Sequence, residues 1–132
     1  MKLSLKKLLA KILEALVPIC TNSSGTATMT LTTGTVKTEL TYVRRGHVVQ
    51  TSGAVVAESS IASGSNLAVG KITNLPKPVG NIRCVSYYGD NAMVSYLSEG
   101  GSYLSRNCGD DALAKGNDIA LSWVYITDGT ML

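Results

Sequence analysis

The sequence predicts an all-β protein: a jelly-roll-like antiparallel β-sandwich of about eight strands, preceded by one amphipathic helix. Three observations predict it. From Ala27 onward apolar and polar residues alternate with a period of two, the spacing of a half-buried strand. Turn chemistry built on Gly, Asn, Asp and Ser punctuates these runs every ~8–12 residues. Thr, Ser, Gly and Val are abundant, which suits strands and turns, and before Ala27 the period is that of a helix instead.

The helix comes first. Leu5, Leu8, Leu9, Ile12, Ala15 and Leu16 recur at three- and four-residue spacing, with Ser4, Lys7, Lys11 and Glu14 on the opposite side, so one face is apolar. Pro18 is expected to end it, because proline disfavours helix in the residue before it. The chain thus divides into an oligomerisation helix (1–17), a linker (18–25) centred on Thr-Asn-Ser-Ser-Gly, and a strand domain (26–132). A lone helix of about four turns is marginal in water, so its stripe needs a cover. Copies of itself, the body of the same chain, or a membrane surface could supply one. Leu5-Leu8-Ile12-Ala15 fits a short heptad seam. Self-association is therefore favoured over a membrane, with Leu5, Leu8, Leu9, Ile12 and Leu16 as the oligomerisation residues.

The strands follow in order. Ala27, Met29 and Leu31 alternate with Thr28 and Thr30, and Thr33-Gly34 turns the chain. Val36, Thr38, Leu40 and Tyr42 form the next strand. Arg45-Gly46 offers a hairpin corner into Val48–Val56, where Gly53 marks a bulge or a close approach. Leu67–Ile72 is a strand, and Leu-Pro-Lys-Pro-Val-Gly-Asn (75–81) a proline-stiffened loop. Ile82–Tyr88 and Asn91–Leu97 pair around Gly89-Asp90. Ser102–Asn107 is a strand, Cys108–Asp118 a loop, and Ile119–Thr127 the last strand. In that strand Ile119, Leu121, Trp123 and Tyr125 form the core face.

Composition narrows the functional classes. Hydrophobic residues make up 45% of the 132-residue chain, enough for one real core. The net charge of +3 sits in the helix, where four lysines oppose Glu14; the remainder carries eight basic and eight acidic residues. A neutral body argues against nucleic acid, which needs a clustered positive face. The basic, apolar N-terminus resembles a secretion signal, but Lys11 and Glu14 interrupt it and no small-x-small cleavage site follows. It is also too short to span a membrane. Cys20, Cys84 and Cys108 are too widely spaced for a metal knuckle. They fit three free, mostly buried thiols, or one disulfide with a free thiol.

Chemistry-bearing patterns are sparse. His47 is the only histidine, and no Gly-x-Ser-x-Gly elbow accompanies it; it is expected at a strand edge. Gly-Ser-Asn-Leu-Ala-Val-Gly-Lys-Ile (64–72) misses the phosphate-binding pattern, with five residues between the glycines and Ile72 where Ser or Thr must reach magnesium. Asp90, Asp110, Asp111, Asp118 and Asp128 fall in or beside loops without the calcium-loop spacing. No metal, cofactor or catalytic residue is assigned. Tyr87, Tyr88, Tyr96 and Tyr103 lie on neighbouring strands, and Tyr87 and Tyr88 must face opposite ways. Tyrosine offers flat apolar area with a polar tip, suited to sugars and interfaces. Tyr87, Tyr88, Asp90, Tyr96 and Tyr103 are the candidate ligand-binding residues.

Tyr42–Val56 (YVRRGHVVQTSGAVV), the Ser-Gly-Ser loop of IASGSNLAVGKI, the Leu-Pro-Lys-Pro segment and the closing ALSWVYIT together resemble the C-terminal head domain of bacteriophage tail receptor-binding proteins. The resemblance covers roughly residues 34–128. It implies a non-enzymatic homotrimeric head at the tip of a tail fibre or baseplate, made in the bacterial host cytoplasm and carried in the virion. It also implies other phage tail proteins as partners and a host surface saccharide as receptor, bound in clefts near subunit boundaries. Family members carry a longer neck and shoulder, where this chain has one helix, and no saccharide-binding residue transfers by motif. The alternatives are a structural virion or tail component, a small carbohydrate-active enzyme with a carboxylate pair, and a membrane-associated module using the basic helix.

Overall fold

A computed structural model of the chain describes residues 4–20, 22–33 and 39–132, and of 15–20, 32 and 33 the backbone alone. Strands dominate the described residues and pair antiparallel, with one short helix, so the protein is all-β with an N-terminal helix. Residues 36–38, expected to open the second strand, lie outside the described residues.

Helix α1 spans Leu5–Cys20. Ser4 caps it: its Oγ accepts from Lys7 N at 3.3 Å, and its carbonyl accepts from Leu8 N at 3.1 Å. The cap satisfies N–H groups that have no partner within the helix. Pro18 does not end the helix as expected. A proline removes its own ladder bond, and the backbone here continues to Cys20 regardless. Leu5, Leu8, Leu9, Ile12 and Leu13 are all exposed. The described part of the apolar stripe is therefore not covered by the body, while the side chain of Leu16 lies outside the described residues.

Of the expected linker (18–25), residues 18–20 are helix and 22–25 are strand. β1 (Asn22–Thr33) begins one residue after the helix, and Asn22–Gly25 pair with Arg45–Tyr42. Gly25 belongs there for room. A Cβ at this position would stand 3.1 Å from the Tyr42 ring and hydroxyl. β1 then changes partners: Asn22–Ala27 pair with β2 (Leu40–Arg45), and Thr28–Thr33 with β5 (Asn66–Thr73).

The remaining strands are β3 (Val48–Ser52), β4 (Ala54–Val56), β6 (Pro76–Pro78), β7 (Ile82–Tyr88), β8 (Asn91–Leu97), β9 (Ser102–Asn107), β10 (Asp118–Ala120) and β11 (Val124–Met131). Their order is β6-β11-β3-β2-β1-β5-β9-β8-β7, with β4-β10 as a separate pair. The eleven strands among the described residues are the expected eight with two of them divided, plus β6. The divided pair keeps one register. Val56 faces Asp118, Ala54 faces Ala120, and after the break Gln50 faces Val124 and Val48 faces Ile126. At the break, Leu121 N donates to Gly53 O (2.8 Å) and Thr51 N to Trp123 O (2.9 Å), so pairing persists through the pinch. Gly53 is the close approach: a Cβ would lie 2.8 Å from Glu39 O.

Both tight hairpins use glycine at the first turn position. Gly46 and Gly89 each have φ of +60°, which suits a two-residue turn of the II′ kind. The 75–81 segment is not wholly loop. Pro78 faces Thr127 in the β6–β11 pair, and Leu132 N donates to Leu75 O at 2.9 Å.

The core lies on the inner faces of both halves of the strand order. Leu40, Val49, Leu67, Ile72, Met93, Leu97, Leu113, Ile119, Leu121 and Trp123 are buried. The expected core face Ile119-Leu121-Trp123-Tyr125 is buried throughout. Trp123 packs edge-on to Tyr103, centroids 6.0 Å apart at 82°, the arrangement aromatic pairs prefer. Trp123 Nε1 donates to Ser95 O at 3.2 Å, joining the two halves.

Candidate functional site

The β7–β8–β9–β5 ladder sets which side chains share a surface. Arg83 faces Tyr96, Tyr96 faces Leu104, and Leu104 faces Val69. Cross-strand neighbours point the same way, so these four form one row. Tyr96 is 36% exposed, while Leu104 and Val69 are half-buried. The row therefore lies on the outer face, opposite the core. In the next row Ser102 faces Lys71, and Ser98 N donates to Ser102 O at 2.9 Å.

A cleft of about 470 Å³ opens between these rows, lined by Val69, Tyr96, Leu104, Asn81, Ser98 and Ser102 together with the neighbouring strand residues. Its floor is apolar and its rim carries hydroxyls and an amide. Ser98 Oγ accepts from Ser102 N (2.9 Å), which leaves the hydroxyl proton to donate outward. Asn81 Oδ1 accepts from Glu99 N (3.2 Å), which leaves the amide N–H groups for a ligand. The Arg83 guanidinium lies over the Tyr96 ring, 5.7 Å from its centroid, a cation–π distance that fixes the ring. Lys71 on β5 is exposed beside Ser102. The lining includes no carboxylate and no imidazole.

Of the expected ligand-binding residues, Tyr96 and Tyr103 line this cleft, and only Tyr96 is exposed there. Tyr87 is 73% exposed at the far end of the same outer face, opposite Ala92. Tyr88 points the other way, and its hydroxyl donates to Asn117 Oδ1 at 2.8 Å. Asp90 is exposed in the turn. Tyr103 lines the cleft from beneath, its side chain buried in the core at 2% exposure. Its hydroxyl bonds Ser105 Oγ, which bonds Ser95 Oγ at 2.7 Å. Burial raises the Tyr103 phenol well above its ordinary pKa, so it stays a neutral part of the core. The period of two had no means of telling inward from outward tyrosines; the pairing register does. Asn81, Ser98, Ser102 and Leu104 were missed because they meet only once β5, β8 and β9 are aligned.

The other chemistry-bearing residues lie outside the cleft lining. His47 is exposed at the hairpin, and its Nδ1 donates to Thr127 O at 3.1 Å. Thr127 N returns a bond to His47 O at 2.8 Å. Asp128 is held below the ordinary carboxylate range by hydrogen bonds from the Thr130 hydroxyl and N–H. Cys84 and Cys108 are free thiols, the side chain of Cys20 being outside the described residues. Cys108 is exposed, whereas Cys84 is half-buried and burial raises its thiol. Among the described residues no group of three or more His, Cys, Asp and Glu side chains could hold a metal ion, and no helix is long and apolar enough to cross a membrane. Compared with protein-family models and with curated proteins, the chain matches none.

Proposed function

We propose that this chain is the homotrimeric receptor-binding head of a phage tail fibre or baseplate, and that it holds a bacterial surface saccharide without cleaving it. The observation that carries the reading is the Tyr96 cleft. A tyrosine face beside hydroxyl and amide donors matches the alternation of C–H faces and hydroxyls on a sugar ring. A glycosidase needs two carboxylates flanking the bond, and the lining supplies none. The reading takes the two halves of the strand order, joined by β1, as the layers of a jelly-roll-like sandwich. It takes the virion as the place of action and other tail proteins as partners. Arg83 over the Tyr96 ring and Lys71 opposite Ser102, each beside a lining residue, favour a saccharide that carries an anionic group.

The test is calorimetric titration with cell-wall polysaccharide fragments, alongside retention of the protein on whole bacteria. Tyr96→Ala is expected to weaken binding at least tenfold without loss of fold, because the ring lies on the outer face. Equal binding by Tyr96→Ala removes the cleft from the reading. A wild-type protein that assembles but binds no glycan and no cell surface leaves the structural tail component as the function instead.

A further inference from the structure

A second outer face, away from the cleft, carries a different signal. In the β1–β2–β3–β11 ladder, Asn22 faces Arg45, Arg45 faces Val48, and Val48 faces Ile126. In the adjacent row Ser24 faces Val43, Val43 faces Gln50, and Gln50 faces Val124. Val43, Val48, Val124 and Ile126 are exposed at 45%, 45%, 69% and 54%. Arg45 is the only charged side chain in these two rows. Solvent faces of strands ordinarily carry charge; low charge with an arginine is the composition of an interface core.

We propose that this valine face is where copies of the chain pack against one another. The inference rests on the oligomeric part of the function proposed above and names its surface. Two features of the molecule point to a second copy as the occupant. The first is continuity. Only Thr21 separates helix α1, with its exposed leucine stripe, from Asn22, which opens the first row. Two residues of chain reach at most ~7 Å, and bundled helices hold their axes about 8–10 Å apart. Copies joined through α1 therefore bring the Asn22 end of this row close to one another at the base of the bundle. Tethering of that kind raises effective concentration to the order of millimolar, so a patch of a few side chains suffices.

The second is charge. The alternative face, β7–β8–β9–β5, exposes Arg83, Arg106 and Lys71, and no strand of that set contains a carboxylate. Copies meeting there would oppose like charges. The valine face pairs one positive charge, Arg45, with one negative, Asp128, the next outward residue of β11 after Ile126, so it carries no such cost, and using it leaves the Tyr96 cleft open.

The test is the mass of the full chain by light scattering, with fold checked by circular dichroism. The double variant Val124→Lys/Ile126→Lys is expected to weaken association at least tenfold, while Val85→Lys on the cationic face leaves the mass unchanged. Hydroxyl-radical footprinting of the wild type gives a reading that needs no variant. Val124 and Ile126 are expected to be protected in the assembly relative to Val85. An unchanged mass in the double variant, a lowered mass in Val85→Lys, or Val124 and Ile126 labelled as freely as Val85 overturns the proposal. The cleft reading survives each of these results. A wild-type monomer overturns both this face and the trimer, whereas a multimer that binds no saccharide overturns the receptor role alone.

Discussion

Thr51 is buried where the last strand breaks. Its Oγ1 donates to Leu121 O at 2.9 Å and accepts from Trp123 N at 2.8 Å, bridging the segment between β10 and β11. Thr51→Val keeps the branched shape but leaves a buried carbonyl and a buried N–H unpaired. The expected cost is about 1–3 kcal/mol, read as a lower urea midpoint with an unchanged slope. Thr51→Ser keeps the hydroxyl and should lose only about one methyl of burial, ~0.8 kcal/mol. Equal stability of the valine variant and the wild type would refute this role. The sequence marks Thr51 as an inward position of a strand by its alternation with Val49. It does not show that a hydroxyl is needed there, because the need arises from a segment some seventy residues away.

At the scale of elements, the change of partners along β1 organises the molecule, and Gly70 permits half of it. Gly70 faces Leu31 across the β1–β5 ladder, and a Cβ there would overlap the Thr30 carbonyl oxygen and stand 2.9 Å from Leu31 Cα. Both obstacles are backbone, which cannot swing aside. Gly70→Ala should therefore cost about 1–3 kcal/mol through overpacking. Gly64→Ala meets open space and suffers only the strain of a φ of +76°, about 1 kcal/mol. Chemical denaturation of the two variants gives the order; a Gly64 variant less stable than the Gly70 variant contradicts the close approach. Elements were legible where burial sets a period of two, as in β3, β7 and β9. They were misread where local chemistry pointed the other way. Asn22–Gly25 has turn composition but is held by pairing with β2, and Pro18 sits inside a helix that continues past it. The cleft was only partly legible, since Tyr96 stands out by residue type while Asn81, Ser98 and Ser102 are common surface residues until the register gathers them.

On the whole-molecule scale, the two outer faces differ in charge. One is nearly neutral and roots the helix; the other is cationic and holds the cleft. If association uses the first and recognition the second, the two can be separated by mutation. The Val124→Lys/Ile126→Lys chain should bind a single soluble saccharide fragment with the wild-type dissociation constant, because neither residue lines the cleft. On a surface of repeating glycan the same chain should be retained about 10²-fold or more less well, because linked sites multiply their affinities only while they remain linked. Surface plasmon resonance on immobilised polysaccharide, set beside calorimetry with the fragment, measures both quantities. Higher ionic strength should weaken the fragment's binding in each form alike, as exposed Arg83 and Lys71 are screened over about 10 Å at 0.1 M salt. A variant that loses fragment affinity along with surface retention would mean that the cleft is shaped by the neighbouring copy, so that the two faces do not act independently.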